Sequence, residues 1–332
     1  MRVAINGLGR VGRLFLRAAL PAGIEVTILN EPNGDLDGLA LGVEFDSVQG
    51  RYPHAVRSCD RGITVGDHRI DVVQIPRFEE LDWAAHGVDL VVDCSGKAKQ
   101  LERASVHLER GAQKVLVSNP VAGVPNVVYG VNHAKVDFGA HPVVTAASCT
   151  TNCLAPVVRV LHDAVGIERG AVTTLHAPTN TQVVVDRPHD DPRRARSALL
   201  NLIPTSTNSA TAVTLIVPEL AGKLDSVAVR VPVLNASLTD CTFHMQRDTT
   251  VEEVLTALRA AADGPLAGVL GVEDRPLVSA DFARDPRSGV VDAGCTRVVD
   301  GRIVKVMIWY DNEWGYVNRM KDLALCIADA YR

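Results

Sequence analysis

The tightest constraint on this chain's fold lies in its first 13 residues. Val3-Ala4-Ile5 reads as a short buried strand. Asn6-Gly7-Leu8-Gly9-Arg10-Val11-Gly12-Arg13 leads from it into a run with Leu14, Phe15, Leu16 and Ala18 that suits a helix. Glycines at 7, 9 and 12 in this strand–turn–helix setting permit a tight turn, close backbone approach to a pyrophosphate, and close helix–strand packing. Arg10 can add positive charge beside that pyrophosphate. The next strand, Val26 to Leu29, ends in Asn30-Glu31. An acid about twenty residues past the glycines holds a ribose diol and repels a 2′-phosphate, so Glu31 points to NAD over NADP.

The pattern continues. Ile63–Val65 and Arg69–Ile75 read as a hairpin around Gly66-Asp67, followed by Arg77, which lies either beside the adenine or simply in solvent. Leu90 to Asp93 is a buried strand running into Cys94-Ser95-Gly96. A helix carries Leu101, Ala104, Val106 and Leu108. Val115 to Val117 is a strand closing on Ser118-Asn119-Pro120. Strand alternating with helix up to residue 147 predicts a parallel α/β domain with these strand ends turned to the cofactor. Beyond it, strands at 227–233, 237–246, 290–291 and 302–310 with a helix over 251–262 predict a mainly antiparallel α+β domain. A last helix, 316–331, is expected to pack back on the first domain. A length of 332 residues also favours two domains.

Reactive chemistry concentrates at Ala147-Ser148-Cys149-Thr150-Thr151-Asn152-Cys153. Val143-Val144-Thr145 ends a strand. Leu154, Val157, Val158, Leu161 and Val165 are spaced as on a helix, with Ser148 and Thr150 as start residues. Cys149 is therefore placed in a first turn, where outward N–H groups are expected to lower its pKa and to hold a developing oxyanion. A lone cysteine is more often plain packing, but the polar neighbours set this one apart. Its base must be near in space. His176 closes an apolar strand (171–175) among Thr179, Asn180, Thr181 and Gln182; His162 is a rival several turns along the helix, and His189 sits in a charged loop.

The arginines of 186–196 read either as a solvated loop or as an anion site; the hydroxyl-rich run 203–209 before a helix expected at 210–217, and Arg230 inside an apolar strand, are further anion candidates. A hydrophobic content of 47% with 22% charged residues suits a globular chain, and a net charge of −5 argues against nucleic acid as a partner. Seven cysteines without a CxxC pair suggest free thiols and a cytoplasmic setting, with no leader, membrane span or metal site expected.

NGLGRVGR, ASCTTNC, TLHAPTNTQ, DPRRARSALLNLIPTST, VRVPVLNASLTD and WYDNEWGY, in this order, resemble the glyceraldehyde-3-phosphate dehydrogenase family from end to end. The resemblance implies a Rossmann dinucleotide-binding domain (1–148 with 313–332) and an α+β catalytic domain (149–312). It makes Cys149 the nucleophile and His176 its base and later acid. Thr179, Thr181 and Arg230 would hold the phosphate of glyceraldehyde 3-phosphate. Ser148, Thr150, Arg194 and Thr207, with Asn208 at the lip, would hold the attacking inorganic anion. Gly7, Gly9, Arg10, Val11, Gly12, Glu31, Arg77 and Ser118 would bind NAD, and Asn312 would orient the nicotinamide. A homotetramer is the family's usual assembly.

Three departures qualify this. Glu31 stands where the family commonly has Asp, Arg187 precedes Pro188 where neutral residues are usual and leaves room for some NADP use, and Asn208-Ser209-Ala210-Thr211 replaces a common Gly-Ala-Ala-Lys. Separately, NEPNGD, EFDSVQGR and RRARSALLNLIPTST look most like the variety encoded beside arsenic-resistance transporters, a resemblance that implies arsenate as the preferred acyl acceptor. Erythrose-4-phosphate dehydrogenase and a non-catalytic NAD-binding scaffold are the competing readings.

Overall fold

The computed structural model describes residues 1–331. Residues 1–127 and 132–148, with those from Val317 on, form one compact unit; residues 128–131 and 149–316 form the other.

In the first unit, strands β1 (Arg2–Asn6), β2 (Glu25–Asn30), β3 (Val56–Cys59), β4 (Gly62–Val65), β5 (His68–Val73), β6 (Leu90–Asp93), β7 (Lys114–Val117) and β8 (Val143–Thr145) join in the order β3-β4-β5-β2-β1-β6-β7-β8. Pairing is parallel from β5 to β8 and antiparallel in the β3–β4–β5 meander. The order grows outward in both directions from β1, which makes the edge beyond β1 and β6 a topological switch point. Helices α1 (Arg10–Ala19), α2 (Leu36–Glu44) and α3 (Leu101–Glu109) connect the strands. Alternate periods are clear in the burial: Leu14, Phe15 and Leu16 of α1 and Ile5, Val91 and Val92 of the central strands are sealed from solvent. Asp35 caps α2 by accepting the Gly38 N–H at 2.8 Å.

In the second unit, β9 (Ile167–His176), β10 (Ile203–Thr205), β11 (Leu224–Arg230), β12 (Ser237–Met245), β13 (Leu270–Glu273), β14 (Gly289–Asp292), β15 (Arg297–Val299) and β16 (Ile303–Tyr310) form a sheet ordered β10-β11-β9-β12-β16-β14-β13, with β15 on β16. Only β9–β11 and β13–β14 pair in parallel. Helices α4 (Cys149–Ala164), α5 (Ser209–Thr214) and α6 (Val251–Asp263) accompany it, and α4 packs on the central strands. The last helix, α7 (Trp314–Ala330), contributes its residues from Val317 on to the first unit.

Parallel α/β followed by a mainly antiparallel sheet is the architecture expected. Four short strands were not: β3, β10, β13 and β15 have three or four residues each, too few for a period to declare itself. The helix expected over 210–217 is shorter, six residues from Ser209 to Thr214. No described helix is long and apolar enough to cross a membrane, and the described residues hold no cluster of metal-ligating side chains.

Candidate active site

The first unit builds a cradle at the switch point. Gly7 has a left-handed backbone (φ +95°), and a Cβ there would lie 2.7 Å from the Ser95 nitrogen. A Cβ on Gly12 would lie 1.9 Å from the Gly7 carbonyl oxygen, so turn and helix start are packed backbone to backbone. Gly9 differs: its Cβ direction meets nothing within 4 Å. It is the N-cap of α1 and has no side chain to occupy the helix's free N–H groups. That combination, close packing at two glycines and open space at the third, fits a pyrophosphate over the helix start.

Glu31 stands beside this turn. Its Oε2 accepts the Leu8 N–H at 2.8 Å, and its Oε1 accepts the Asn33 backbone and side-chain N–H groups at 3.0 and 3.1 Å. A buried chain holds the strand ends level. Asn30 donates to Asn6 (2.8 Å), Asn6 donates to Asp93 (2.7 Å), and Ser95 donates to the second Asp93 oxygen (2.8 Å). Trp83 donates to His107 Nδ1 at 3.0 Å, so the ring's proton is on Nε2, which faces Asp93 at 2.9 Å. None of this chain was anticipated, since its members lie up to 87 residues apart.

Two cofactor candidates form ion pairs within the protein. Arg10 is paired with Asp46, whose carboxylate is nearly buried. Burial pushes that carboxyl up, but the Gln49 N–H, Arg10 and the Val48 N–H outweigh it and hold it low. Arg10's charge is thus largely neutralised within the protein. Arg77 is exposed and pairs with Glu80 (3.4 Å). Ser118 follows β7, its N–H bonded to the Asp93 carbonyl at 2.9 Å, and Val11 lies in the first turn of α1.

In the second unit, Cys149 is the first residue of α4 and His176 the last of β9. Their Sγ and Nε2 atoms are 3.5 Å apart. The turn entering α4 is strained: Ala147 has φ +57°, a conformation that costs about 1–3 kcal/mol and is retained at functional sites. Thr150 Oγ1 lies 4.0 Å from Sγ and 2.9 Å from the Tyr310 hydroxyl. The Tyr310 ring stands edge-on to His176, with centroids 6.1 Å apart. Ser237 accepts the Ala177 N–H (3.1 Å) and donates to Asn312 Oδ1 (3.1 Å), which fixes the Asn312 amide. Tyr310, Ser237 and Ala147 are functional neighbours that the motifs contained but did not single out. His162 is no rival: its Nδ1 accepts the Ile167 N–H at 3.1 Å, and His189 likewise accepts the Asp191 N–H at 2.9 Å.

The expected lowering of the thiol pKa by the helix start does not hold in this structure. Desolvation pushes the Cys149 thiol up, outweighing Thr150, Arg230 and the backbone N–H groups. Burial, then Arg230, pushes the His176 imidazole down to about 4. Burial thus disfavours the charged form of each partner, and an uncharged imidazole is the form of histidine that can take a proton.

The anion candidates divide. Arg230, paired with His176 in the β9–β11 register, places NH1 2.6 Å from His176 Nδ1 and 3.1 Å from the Ala177 carbonyl. Among the described residues its buried Nε has no hydrogen-bond partner. Thr179 and Thr181 share a hydroxyl contact at 3.0 Å, Thr179 also bonds Gln182, and Arg194 donates to Thr181 at 3.1 Å. Burial first, and the like charge of Arg194 last, push the Arg230 guanidinium down from its ordinary value. Of the other arginines in 186–196, Arg196 is tied to Asp186 (2.6 Å), and Arg187 and Arg193 are exposed. Thr207 bonds only its local partner Ser209 (2.8 Å), Asn208 makes no side-chain cap, and among the described residues neither is bonded to the Cys149–His176 pair. Ser148 lies at the end of the first unit, one residue before the nucleophile.

Comparison with known proteins agrees with this site. The profile of the glyceraldehyde 3-phosphate dehydrogenase NAD binding domain matches residues 1–101, and that of the family's C-terminal domain matches residues 148–312. Glyceraldehyde-3-phosphate dehydrogenase 3 of a Nostoc species is 50% identical over 99% of the chain and 98% of its own length. The enzymes of Cereibacter sphaeroides (50% identical, 98% of each chain) and Pseudomonas aeruginosa (49% identical, 99% of each chain) are similarly close. A nucleophile–base pair at hydrogen-bond reach, a glycine cradle for a dinucleotide and homology across the whole chain converge: the chain belongs to the glyceraldehyde-3-phosphate dehydrogenase family.

Proposed function

We propose that Cys149 and His176 carry the NAD-dependent, phosphorylating oxidation of glyceraldehyde 3-phosphate. The single observation that carries this reading is the 3.5 Å separation of Sγ and Nε2 at the mouth of α4. His176 takes the thiol proton as Sγ attacks the aldehyde carbon, giving a thiohemiacetal. The N–H groups at the start of α4 stabilise its oxyanion. Bound NAD supplies the two-electron acceptor, to which the aldehyde hydrogen leaves as hydride. His176 first returns the thiol proton to that oxyanion and then takes it back from the hydroxyl as the hydride leaves, and the product is a thioester on Cys149. An inorganic oxyanion then attacks the thioester carbon and releases the thiolate, which regains its proton. Arg230 with Thr179 and Thr181 binds the substrate's own phosphate; Arg194 with Ser148, Thr150, Thr207 and Asn208 receives the attacking anion. Asn312, held by Ser237, orients the nicotinamide amide, with Glu31, Ser118, Arg77, Val11 and the glycines along the rest of the cofactor.

For the acceptor we infer that arsenate serves as well as phosphate, giving 1-arseno-3-phosphoglycerate in place of 1,3-bisphosphoglycerate. Both are tetrahedral oxyanions of like charge. The support is the run of residues around Asn30, Glu44 and Arg193 and the neutral Thr211 where the family commonly carries lysine. A cytoplasmic setting fits seven free thiols. The test titrates phosphate and arsenate separately while NADH formation is followed, with the acyl product identified. NADH formation that requires neither anion removes the acyl-transfer step. Saturation by phosphate but not arsenate removes the arsenate reading. Faster turnover of erythrose 4-phosphate replaces the substrate.

A further inference from the structure

We propose that Asp311 is a positioning residue for hydride transfer: its buried carboxylate fixes the turn that carries Asn312, and so selects the face that the nicotinamide turns to the substrate. This rests on reading Asn312 as the group that orients the nicotinamide amide.

The β12–β16 ladder ends at the pair Ser237–Tyr310. Beyond that pair, side chains take over from the ladder. The consecutive residues Asp311 and Asn312 are tied to Asn235 and Ser237, which stand on either side of Ala236. Asn235 Nδ2 donates to Asp311 Oδ2 at 2.7 Å, and Ser237 Oγ donates to Asn312 Oδ1 at 3.1 Å. Asp311 takes three more donors. The Arg284 N–H reaches Oδ2 at 2.8 Å, and the Glu313 and Trp314 N–H groups reach Oδ1 at 2.8 and 2.7 Å, where α7 begins. A carboxylate accepts at both oxygens, whereas an amide of the same size accepts at one end and donates at the other. Asp311 is 1% exposed, so water is no substitute for a lost donor.

The backbone around this carboxylate is strained. Among the described residues, four that are not glycine have a left-handed backbone: Ala147, Ala236, Arg284 and Asp300. Ala147 enters the helix of Cys149. Ala236 (φ +62°) separates the two residues that hold Asp311 and Asn312, and Arg284 (φ +68°) gives Asp311 its own N–H. Strain of this kind persists only where the surroundings over-determine it, and it gathers where geometry serves function. Phe282, two residues before Arg284, also stacks on Trp309, two before Asp311, with ring centroids 5.2 Å apart.

Tyr310 precedes Asp311, bonds Thr150 and is already fixed by the ladder. Asn312 follows Asp311, is half-buried, and depends on Ser237 and on the turn that Asp311 holds. A firmly held Asn312 admits one face of the nicotinamide ring to the substrate; a drifting one admits both. Misplacement by an ångström can cost a reaction about 10²-fold.

The test follows the first turnover of NAD by the wild type, Asp311→Asn, Asn235→Ala and Asn312→Ala. The substrate is glyceraldehyde 3-phosphate with deuterium on its aldehyde carbon, and no acyl acceptor is added, so the signal reports the steps up to the thioester. Asparagine at 311 keeps the size but turns one end into a donor that faces donors. First-turnover rates should fall by about 10–100-fold in Asp311→Asn and Asn312→Ala, and by less in Asn235→Ala. Deuterium should reach one face of the reduced ring in the wild type and both faces in the variants. A fraction of misfolded protein leaves that partition unmoved. A second readout needs no turnover: transferred nuclear Overhauser effects in NAD, with no aldehyde present, should show one orientation of the nicotinamide on its ribose in the wild type and a mixture in the variants. One-faced transfer in Asn312→Ala overturns the nicotinamide reading and this proposal together. Two-faced transfer in Asn312→Ala with one-faced transfer, or a single NAD orientation, in Asp311→Asn overturns the proposal alone. Should Asp311→Asn fail to fold, the same result in Asn235→Ala overturns it.

Discussion

At residue scale, the site is a balance between desolvation and proton acceptance. Burial alone would leave Cys149 inert at neutral pH; its reactivity depends on His176 taking the proton. Removing that acceptor isolates the burial effect. In His176→Asn the burial that raises the thiol pKa is unchanged but its proton acceptor is gone, so iodoacetamide alkylation at neutral pH slows relative to the wild type. NADH formation falls by about 10²–10⁴-fold. An alkylation profile unchanged from wild type would take His176 out of the pair. The sign follows from the thiolate being the nucleophile: a raised pKa lowers its fraction at any pH below it. Cys149 and His176 were legible in the sequence because each sits at a sharp junction of apolar periodicity and polar residues. Tyr310 was not, since its partner Thr150 lies 160 positions away.

At the scale of the element, the turn from β1 to α1 separates two roles that a glycine count merges. Gly12 is required by packing, because its Cβ would sit 1.9 Å from the Gly7 carbonyl oxygen. Gly12→Ala should destabilise the protein by about 1–3 kcal/mol, seen as a lower thermal midpoint, and weaken NAD binding as a consequence. Gly9 meets nothing. Gly9→Ala should unfold at nearly the wild-type temperature yet bind NAD at least about tenfold more weakly, because the methyl occupies space for the pyrophosphate. Calorimetry for both quantities separates these outcomes. Wild-type affinity in Gly9→Ala would move the cofactor elsewhere. The same scale shows where sequence reading stops. Helix α1, with the pattern of a full amphipathic face, was readable; β15, three residues with one half-buried position, had no pattern to read.

At the scale of the whole molecule, five of the exposed apolar side chains lie in one stretch of the second unit, residues 184–202. Val184 is 65% exposed, Val185 76%, Leu199 58%, Leu200 84% and Leu202 69%. Large exposed aliphatics this dense mark a surface that another chain covers. We therefore expect a homo-oligomer that buries this stretch. The double variant Leu200→Glu with Leu202→Glu should sediment as a smaller species than wild type. A wild-type monomer in analytical ultracentrifugation would dismiss the assembly.

Composition and spacing were enough to announce a dinucleotide turn, a nucleophile at a helix start and a sheet of each kind, because those features are written in neighbours a few residues apart. The partners of the charges were not. Arg10 goes to Asp46, Arg196 to Asp186 and Arg230 to His176, separations of tens of residues in the first and last cases that no local period encodes. Folding alone decided which guanidinium was neutralised within the chain and which was left beside an imidazole with its Nε unbonded. A side chain's charge is set by its type, but the field it feels is set by whatever the fold packs against it.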